Sequence, residues 1–478
     1  MEKEEELRPD ICVIGAGSGG LSVAAGAAAF GVGVVLIEKG AMGGDCLNHG
    51  CVPSKALIAA AKHAHAISEA PSFGVMAGEM KADFGRIHRH VHSVIGAIAP
   101  NDSVERFEAM GVRVIKAEAR FTDARTVIAG NTRIRARRFV LATGSRPAVP
   151  PIPGLDAVGH LTNETLFART TRPKHLIVIG GGPIGMEMAQ AHRRLGCLVT
   201  VIEGKKALSR EDPELAAIVL DAMRAEGVTV IEDAEVKSVT RRGKTIVSVE
   251  YGKDGETACV EGSDILVATG RAPNNDGLGL EVAGIAHDKG GITVGRNLKT
   301  SNSRVFAIGD AVSGGPQFTH VAGYHAALAL QQILFRLPAR ENRMLLPRVT
   351  FTAPELAHVG LSEAEAREKH GRISVLRWPY GENDRAQTER RTEGLIKIVT
   401  TPRGKLLGVS IVGAGAGEMI NFWALALSKT MTLADIRGYV APYPTMSEIG
   451  KRAAISYYAP MARKNWLRRI VGLLGRFG

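Results

Sequence analysis

The chain has 478 residues, of which 45% are hydrophobic and 23% are charged, so its composition is that of an ordinary globular protein with two to four domains. The formal net charge of +12 is scattered, with no long basic run before the C-terminus, and nucleic-acid binding is therefore not expected. The acidic opening segment MEKEEELRPD and the lack of an apolar stretch of about 18 residues predict neither a signal peptide nor a membrane span.

The first predicted element is a strand–turn–helix–strand unit that begins near residue 10. An apolar strand leads into a turn with Gly15, Gly17 and Gly20, an alanine-rich helix follows, and a second apolar strand ends at Glu38. The first two glycines permit a tight turn close to a pyrophosphate, and the third lets helix and strand pack. The phosphates would face free N–H groups at the helix N-terminus, while Glu38 would accept hydrogen bonds from ribose.

The next segment, GGDCLNHGCVPSK, holds the one close pair among five cysteines, Cys46 and Cys51. A sparse and odd number of cysteines argues against a secreted disulfide framework. A structural zinc site needs four Cys or His ligands, and His49 between the cysteines does not complete such a set. The pair therefore favours redox chemistry. Cys12 and Cys197 lie in apolar, strand-like segments and are expected to be inert core residues.

The strand–turn–helix–strand unit recurs near residue 175, now with Gly180, Gly182, Gly185 and Glu203. The acid follows the first glycine at the same spacing in both copies. One glycine-rich turn is weak evidence, but two copies flanked by strands predict two dinucleotide-binding domains.

Three further apolar strands end near these predicted nucleotide sites. They lead into Thr143 and Gly144, into Gly270, and into Asp310. A carboxylate at the last position is well placed to hold a polyhydroxyl chain such as ribitol. Each segment taken singly also fits an ordinary junction between a strand and a loop.

Together these segments resemble the pyridine nucleotide-disulfide oxidoreductases, the family of glutathione reductase, dihydrolipoyl dehydrogenase and mercuric reductase. The resemblance extends from Ile11 to about Ala454, and its most specific part is the Cys-x4-Cys loop followed by VPSK. It implies an α/β fold with two Rossmann-like domains and an α+β interface domain. The implied boundaries are an FAD-binding domain at 1–148, an NAD(P)-binding domain at 149–276, a return to the FAD domain at 277–343, a dimerisation domain at 344–460 and a tail at 461–478.

The resemblance also implies roles for individual residues. Cys51 would face the flavin, and Cys46 would exchange with substrate. Lys55 would lie near the flavin and pair with Glu187, for which an ordinary surface acid is the alternative. Pro53 is compatible with a helix start that lowers the thiolate pKa. The residues implied for FAD are Gly15, Gly17, Gly20, Glu38, Lys55, Thr143, Gly144 and Asp310, and those for the nicotinamide nucleotide are Gly180, Gly182, Gly185, Glu203 and Gly270.

Glu203 favours NAD over NADP, because a carboxylate accepts the 2′-hydroxyl of NAD and repels the 2′-phosphate of NADP. Lys205 and Lys206 weaken this preference, since both could bind a phosphate if the Glu203 carboxylate turned away.

The segment APYPTMSEIGKRAA departs from the usual pattern of the family. Members that handle dithiols usually have a histidine at the position of Tyr443, with a glutamate nearby that corresponds to Glu448. In the homodimer, this histidine completes the active site of the partner subunit. Tyrosine titrates near 10, so it is a poor proton acceptor at neutral pH. Mercuric reductases have tyrosine here, and Hg(II) needs soft thiolate ligands. A neutral replacement with another base nearby, His49 included, is the alternative. The C-terminal cysteine pair of mercuric reductases is not matched, since the last cysteine is Cys259.

The tail, MARKNWLRRIVGLLGRFG, predicts a basic amphipathic helix that lies on an anionic membrane, docks on a partner or packs on the dimer. Arg463 projects into its apolar arc. The apolar arc comprises Trp466, Leu467, Ile470, Val471, Leu473, Leu474 and Phe477, and the basic side comprises Lys464, Arg468, Arg469 and Arg476.

We therefore expect a cytoplasmic FAD-dependent oxidoreductase without a structural metal, located at the inner face of the membrane if the tail binds lipid. Its Cys46–Cys51 disulfide would act on Hg(II) or a small thiol-reactive electrophile. The alternatives are a dihydrolipoyl dehydrogenase-like or other disulfide reductase, a flavoprotein that transfers electrons without the dithiol, and a membrane-associated electron-transfer adaptor.

Overall fold

A computed structural model describes residues 5–243 and 245–477, and it divides the chain into two compact units. The secondary structure mixes helices with parallel and antiparallel strands, which confirms the expected α/β class with an α+β interface domain. Unit 1 comprises Met1–Gly180, Ala191–Ile202 and Ala234–Glu341, and unit 2 comprises Gly181–Gln190, Glu203–Asp233 and Asn342–Gly478.

The first sheet of unit 1 is a parallel sheet of five short strands. Its central strand Ile11–Ile14 pairs with Val34–Ile37 on one side and Arg138–Leu141 on the other. The strands Ile11–Ile14 and Val34–Ile37 are buried along their whole length, as expected for a parallel sheet covered on both faces. The helices Ser18–Ala28 and Thr319–Phe335 pack against each other beside it. The strand order is Val305–Ala307, Arg138–Leu141, Ile11–Ile14, Val34–Ile37, Arg113–Ile115.

A second parallel set in unit 1 follows the same plan. Strand His175–Ile179 lies between Leu198–Ile202 and Asp264–Val267. The remaining strands of unit 1 form two further sheets and two strand pairs. The four-stranded sheet consists of Glu5–Leu7, Thr132–Ile134, Thr126–Ala129 and Ala119–Asp123, and the three-stranded antiparallel sheet consists of Glu235–Arg242, Ile246–Lys253 and Glu256–Gly262. The two pairs are Ser145–Pro147 with Arg271–Pro273 and His287–Asp288 with Gly291–Ile292. Its other helices are Gly44–Asn48, Cys51–Glu69, Phe84–Ile98, Val104–Ala109, Leu155–Val158 and Asn163–Leu166, and the helix Pro183–Arg194 belongs partly to each unit.

Unit 2 is built on a five-stranded antiparallel sheet. The helix Ala416–Ser428 packs on this sheet, and Trp423 and Tyr380 are buried in the core between them. The strand order is Arg348–Thr350, Glu355–Gly360, Leu406–Gly413, Leu395–Thr400, Ser374–Pro379, and a further strand is Thr229–Ile231. The other helices are Pro213–Ala225, Glu363–His370, Asp384–Thr388, Leu433–Gly438, Glu448–Ser456, Ala459–Ala462 and Asn465–Leu474.

A buried lysine joins the chain segments within unit 2. The side chain of Lys397 is 5% exposed, and its ammonium contacts Asp212 at 2.7 Å, Glu363 at 2.8 Å and Glu214 at 3.1 Å. Arg377 pairs in turn with Glu214. A buried charge is tolerated only when it is paired, and three carboxylates satisfy the three ammonium protons.

No helix in the described part of the chain combines the length and the apolar character that crossing a membrane requires.

Candidate active site

The two cysteines of the Cys-x4-Cys loop occupy different environments. Cys46 lies in the short helix Gly44–Asn48 and is half-buried, whereas Cys51 is exposed and begins the long helix Cys51–Glu69. The expected helix start is therefore present, two residues before Pro53. Both cysteines are free thiols in the structure.

The geometry makes Cys51 the more acidic thiol. A hydrogen bond from Cys46 is the largest influence that lowers the pKa of Cys51 to about 6, with Thr319 and the charge of Lys55 assisting. The same hydrogen bond, together with burial, raises the pKa of Cys46. The helix N-terminus also favours an anion at Cys51. The surroundings of the pair therefore favour a thiolate at Cys51 and a proton at Cys46.

Thr319 is a site residue that sequence reasoning missed. Its Oγ1 lies 3.3 Å from the Sγ of Cys51, and it is the first residue of the helix Thr319–Phe335. The hydroxyl can donate to the thiolate and so stabilise it. The two residues are 268 positions apart in the sequence, and no local pattern connects them.

The first glycine turn has the close contacts that its motif requires. Gly15 has a φ of 103°, and a Cβ there would lie 2.4 Å from the carbonyl oxygen of Ala142. A Cβ on Gly20 would lie 1.8 Å from the carbonyl oxygen of Gly15. Any side chain at either position would displace the backbone, so both glycines are required by the turn. Gly17 follows as the N-cap of the helix Ser18–Ala28 and has no side chain to cap its N–H groups.

Glu38 lies beside the first glycine turn and is held in place by backbone hydrogen bonds. Its carboxylate accepts hydrogen bonds from the N–H of Ala16 at 2.7 Å and from the N–H of Gly40 at 2.6 Å. A carboxylate has about four acceptor positions, so two such bonds leave capacity for ribose hydroxyls.

The residues expected to hold FAD meet at one edge of the five-stranded sheet. Gly15, Glu38, Thr143 and Asp310 all follow the carboxyl ends of its parallel strands, where nucleotides bind in such sheets. The others in this set are Gly17, Gly20 and Gly144, and Lys55 lies in the first turns of the helix Cys51–Glu69.

Two side chains at this edge have polar atoms suited to a bound group. Among the described residues, the buried Oγ1 of Thr143 has no hydrogen-bond partner, which a ligand oxygen would supply. Burial raises the pKa of Asp310, while a hydrogen bond from Ser145 at 2.6 Å opposes that rise. A half-buried carboxylate that still has free acceptor positions is suited to accept further hydroxyl donors. The residues present therefore fit FAD.

The second glycine turn repeats the first in detail. Gly180 has a φ of 110°, and a Cβ there would lie 2.5 Å from the carbonyl oxygen of Ala268. The carboxylate of Glu203 accepts from the N–H of Gly181 at 2.6 Å and of Lys205 at 3.0 Å, as Glu38 does in the first copy. Gly182 has open space at its Cβ position. Gly185 lies in the helix Pro183–Arg194, and Gly270 has a φ of 136° in the loop after Asp264–Val267.

The position of Lys206 bears on the choice of nicotinamide nucleotide. Its ammonium contacts Asp233 at 2.5 Å, and this carboxylate raises the pKa of Lys206. A lysine that is already paired is a weaker phosphate ligand than a free one.

Tyr443 and Glu187 have partners within unit 2. The hydroxyl of Tyr443, a side chain that is 67% exposed, donates to Asp384 at 2.8 Å, and this bond raises the tyrosine pKa further from neutrality. Glu187 is 6% exposed and accepts from the N–H of Phe351 at 2.9 Å, so it is not a surface acid. Lys55 belongs to unit 1, and its pairing with Glu187 stays a prediction. Glu448 begins the helix Glu448–Ser456.

In the described part of the chain, no group of three or more His, Cys, Asp or Glu side chains is arranged to hold a metal ion.

Residues 9–326 match the family described as pyridine nucleotide-disulphide oxidoreductase, and residues 346–454 match the dimerisation domain of that family. The chain belongs to this family. It is therefore an oxidoreductase, FAD is its family cofactor, and the dimerisation domain indicates a homodimer.

Mercuric reductases and dihydrolipoyl dehydrogenases are among the relatives of this chain. A mercuric reductase of Streptomyces lividans is 35% identical over 463 residues, which cover 95% of this chain and 97% of the relative. A mercuric reductase of Bacillus cereus is also 35% identical, over 94% of this chain and 71% of the relative. A dihydrolipoyl dehydrogenase of Geobacillus stearothermophilus is 34% identical over 94% of this chain and 96% of the relative.

A solved structure of a family member has the same fold. The Cu(II) complex of the HOCl-induced flavoprotein disulfide reductase RclA from Escherichia coli superposes with a TM-score of 0.83 at 27% identity, covering 94% of this chain and 99% of that chain. These relatives act on sulfur groups or metal ions, so the comparisons give the reaction class and leave the substrate open.

Proposed function

We propose that the protein is a mercuric reductase-like enzyme that uses NAD(P)H to reduce Hg(II), or another small thiol-reactive electrophile, through Cys46 and Cys51. The observation that carries this proposal is a dithiol with one stabilised thiolate, combined with a tyrosine where a base for dithiol exchange would stand. For Hg(II), one NAD(P)H supplies two electrons as hydride, and the products are Hg(0), NAD(P)+ and one proton. FAD, when bound, relays this electron pair between nicotinamide and sulfur.

In this proposal, Cys46 and Cys51 have different roles. Cys51 supplies a thiolate at neutral pH, with Thr319 and Lys55 stabilising it. Cys46 lies beside it and receives the incoming metal, losing its proton when the metal binds, since only thiolates ligate. A soft cation takes two thiolates readily. Its reduction to Hg(0) leaves both cysteines as thiolates, and Cys46 then takes up again the proton that it lost on binding. No sulfur–sulfur bond is cleaved in this step, so no thiol leaving group needs a histidine at position 443.

An acceptor comparison tests this function. NADH oxidation is measured with Hg(II) in excess small thiol, with glutathione disulfide, and with lipoamide. We expect the highest turnover with Hg(II). Faster turnover with either disulfide would favour the dihydrolipoyl dehydrogenase-like or other disulfide-reductase alternative, which the 34% identical relative supports. Negligible turnover with all three acceptors would favour an electron-transfer adaptor.

We further propose NADH as the preferred nucleotide, on the basis of Glu203. Replacing Glu203 by alanine removes the carboxylate that repels a 2′-phosphate. We expect the ratio of kcat/KM for NADH to that for NADPH to fall at least about tenfold, equivalent to about 1.4 kcal/mol. Lys205→Ala is the companion variant: it keeps Glu203 and removes a charge that could bind a 2′-phosphate, so the ratio should not fall. An unchanged ratio in Glu203→Ala would contradict the assignment.

We also propose that the tail contacts an anionic membrane surface. The helix Asn465–Leu474 and the residues after it expose a group of large apolar side chains, from 45% for Ile470 to 80% for Phe477. Lys464, Arg468 and Arg469 belong to the same segment, which holds no acidic residue. An apolar face beside a basic face fits a surface of anionic headgroups over acyl chains.

Vesicle flotation tests the tail. Full-length protein is expected to float with vesicles containing anionic lipid, and a chain ending at residue 460 is expected to bind at least about tenfold less, since both its apolar and its basic contacts are lost. Neutral vesicles are the control, and they should bind both proteins weakly. Equal flotation of the two chains would remove the membrane proposal, and a loss of dimer in the shortened chain would place the tail on the second subunit.

A further inference from the structure

Asp45, the residue before Cys46, is held from two sides. Its Oδ1 accepts a hydrogen bond from the amide of Asn163 at 3.0 Å, and its Oδ2 pairs with Arg271 at 3.1 Å. The same amide of Asn163 donates to the carbonyl of His49 at 3.2 Å. Two side chains from later parts of the chain therefore fix the turn that presents Cys46.

Arg271 also reaches the predicted FAD site. Its Nε donates to the hydroxyl of Ser145 at 2.7 Å, and its Nη2 donates to the backbone carbonyl of Ser145 at 2.8 Å. The Ser145 hydroxyl donates in turn to Asp310 at 2.6 Å. A continuous set of polar contacts thus runs from Asp45 through Arg271 and Ser145 to Asp310. The planar guanidinium donates from separate nitrogens in a fixed fork, so Nε and Nη2 reach different acceptors at once, whereas a lysine would have to serve them all from a single nitrogen.

Charge gives Arg271 a second role. Its side chain is 11% exposed, and its Nε lies 3.8 Å from Asp310, so one cation lies between two carboxylates in a largely buried place. The negative charge of the Asp45 carboxylate also raises the pKa of the nearby Cys51. Without the arginine, both carboxylates would lack a counter-charge, and the one at Asp45 would disfavour a second anion at Cys51.

We propose that Arg271 is a positioning residue that fastens the Cys46–Cys51 turn to the Ser145–Asp310 segment and neutralises Asp45, so that Cys51 can remain a thiolate beside the flavin. The proposal rests on the dithiol role assigned above, and it does not depend on which electrophile is the substrate.

Arg271→Met tests this proposal, with anaerobic reduction by two electrons at one fixed pH as the assay. The long-wavelength thiolate–flavin charge-transfer absorbance is expected to fall at least about threefold, because Asp45 loses its counter-charge and its carboxylate then disfavours the thiolate. Alkylation of the reduced pair in the FAD-free protein is expected to slow by a similar factor, since thiolates are the reacting form. Adding Asp45→Asn to Arg271→Met should restore most of both signals.

The control is Arg146→Met, which lies on the same two-stranded ladder but pairs with the exposed Asp276. It should leave both signals unchanged. Normal signals in Arg271→Met, or a loss that Asp45→Asn does not restore, would overturn the proposal. If Arg271→Met fails to fold, Arg271→Lys replaces it, and wild-type signals in that variant would likewise overturn the bridging role. Failure of the dithiol mechanism itself would show separately, as a wild-type protein without the charge-transfer absorbance.

Discussion

Replacing Cys51 by alanine is expected to lower NADH-dependent Hg(II) reduction by at least about 10³-fold, because the thiolate that receives the electron pair is lost. FAD should stay bound, and its reduction by NADH should remain fast, since neither requires the sulfur. Stopped-flow absorbance separates these two steps. Cys46→Ala should also lose turnover, but it should keep a charge-transfer band, now appearing at higher pH. The hydrogen bond from Cys46 is the main influence lowering the pKa of Cys51 to about 6, so removing it raises that pKa.

Cys259→Ala is the matched control for these variants. Cys259 is an exposed free cysteine in the strand Glu256–Gly262, where its sulfur lies 2.8 Å from the hydroxyl of Ser248. Its removal should leave turnover unchanged. Full Hg(II) reduction by Cys51→Ala would contradict the dithiol mechanism and would favour direct electron transfer from flavin to the acceptor.

Tyr443→His is expected to increase the reduction of glutathione disulfide or lipoamide by about 10²-fold, the lower end of what a positioned acid–base group supplies. Histidine titrates near 6.5 and can exchange protons with a departing thiol, whereas the pKa of Tyr443 is raised by its bond to Asp384. The same carboxylate, now 2.8 Å from the tyrosine hydroxyl, would be available to orient an imidazole. Hg(II) reduction should change little, because no sulfur–sulfur bond is cleaved in that reaction. Initial rates with each acceptor give the measurement.

Tyr443→Phe separates the loss of the hydroxyl from the gain of a base. It should give no increase with either disulfide. If the wild-type enzyme already reduces disulfides as fast as Hg(II), or if Tyr443→His brings no gain, then Tyr443 is a neutral replacement and another group supplies the proton.

Local patterns predicted well the strands and turns that frame the expected nucleotide sites. The alternation of apolar runs with glycine turns located the parallel strands, and Glu38 and Glu203 do follow the ends of their second strands. The glycine requirement is also local, since it depends on φ and on one backbone neighbour. What the sequence did not reveal is that both carboxylates bind the N–H groups of their own glycine turns.

Contacts between distant segments could not be predicted. Arg271 was visible only as part of a strand end, and nothing near it in the sequence identifies Asp45 as its partner. Thr319 likewise meets Cys51 only because the fold brings one helix start to another. Asp45 did offer a signal, as a charged residue directly before Cys46. The role of Asp45 could be recognised only from the positions of Asn163 and Arg271, which the tertiary structure supplies.

The central claim is that Cys46 and Cys51 form a redox pair that exchanges electrons with flavin. Anaerobic titration of the oxidised enzyme with NADH tests it most directly. We expect the first two electrons to produce a long-wavelength thiolate–flavin charge-transfer band and two titratable thiols while the flavin stays oxidised, and we expect no such band in Cys51→Ala. Complete bleaching of the flavin by the first two electrons, with no long-wavelength band and no new thiols, would contradict it.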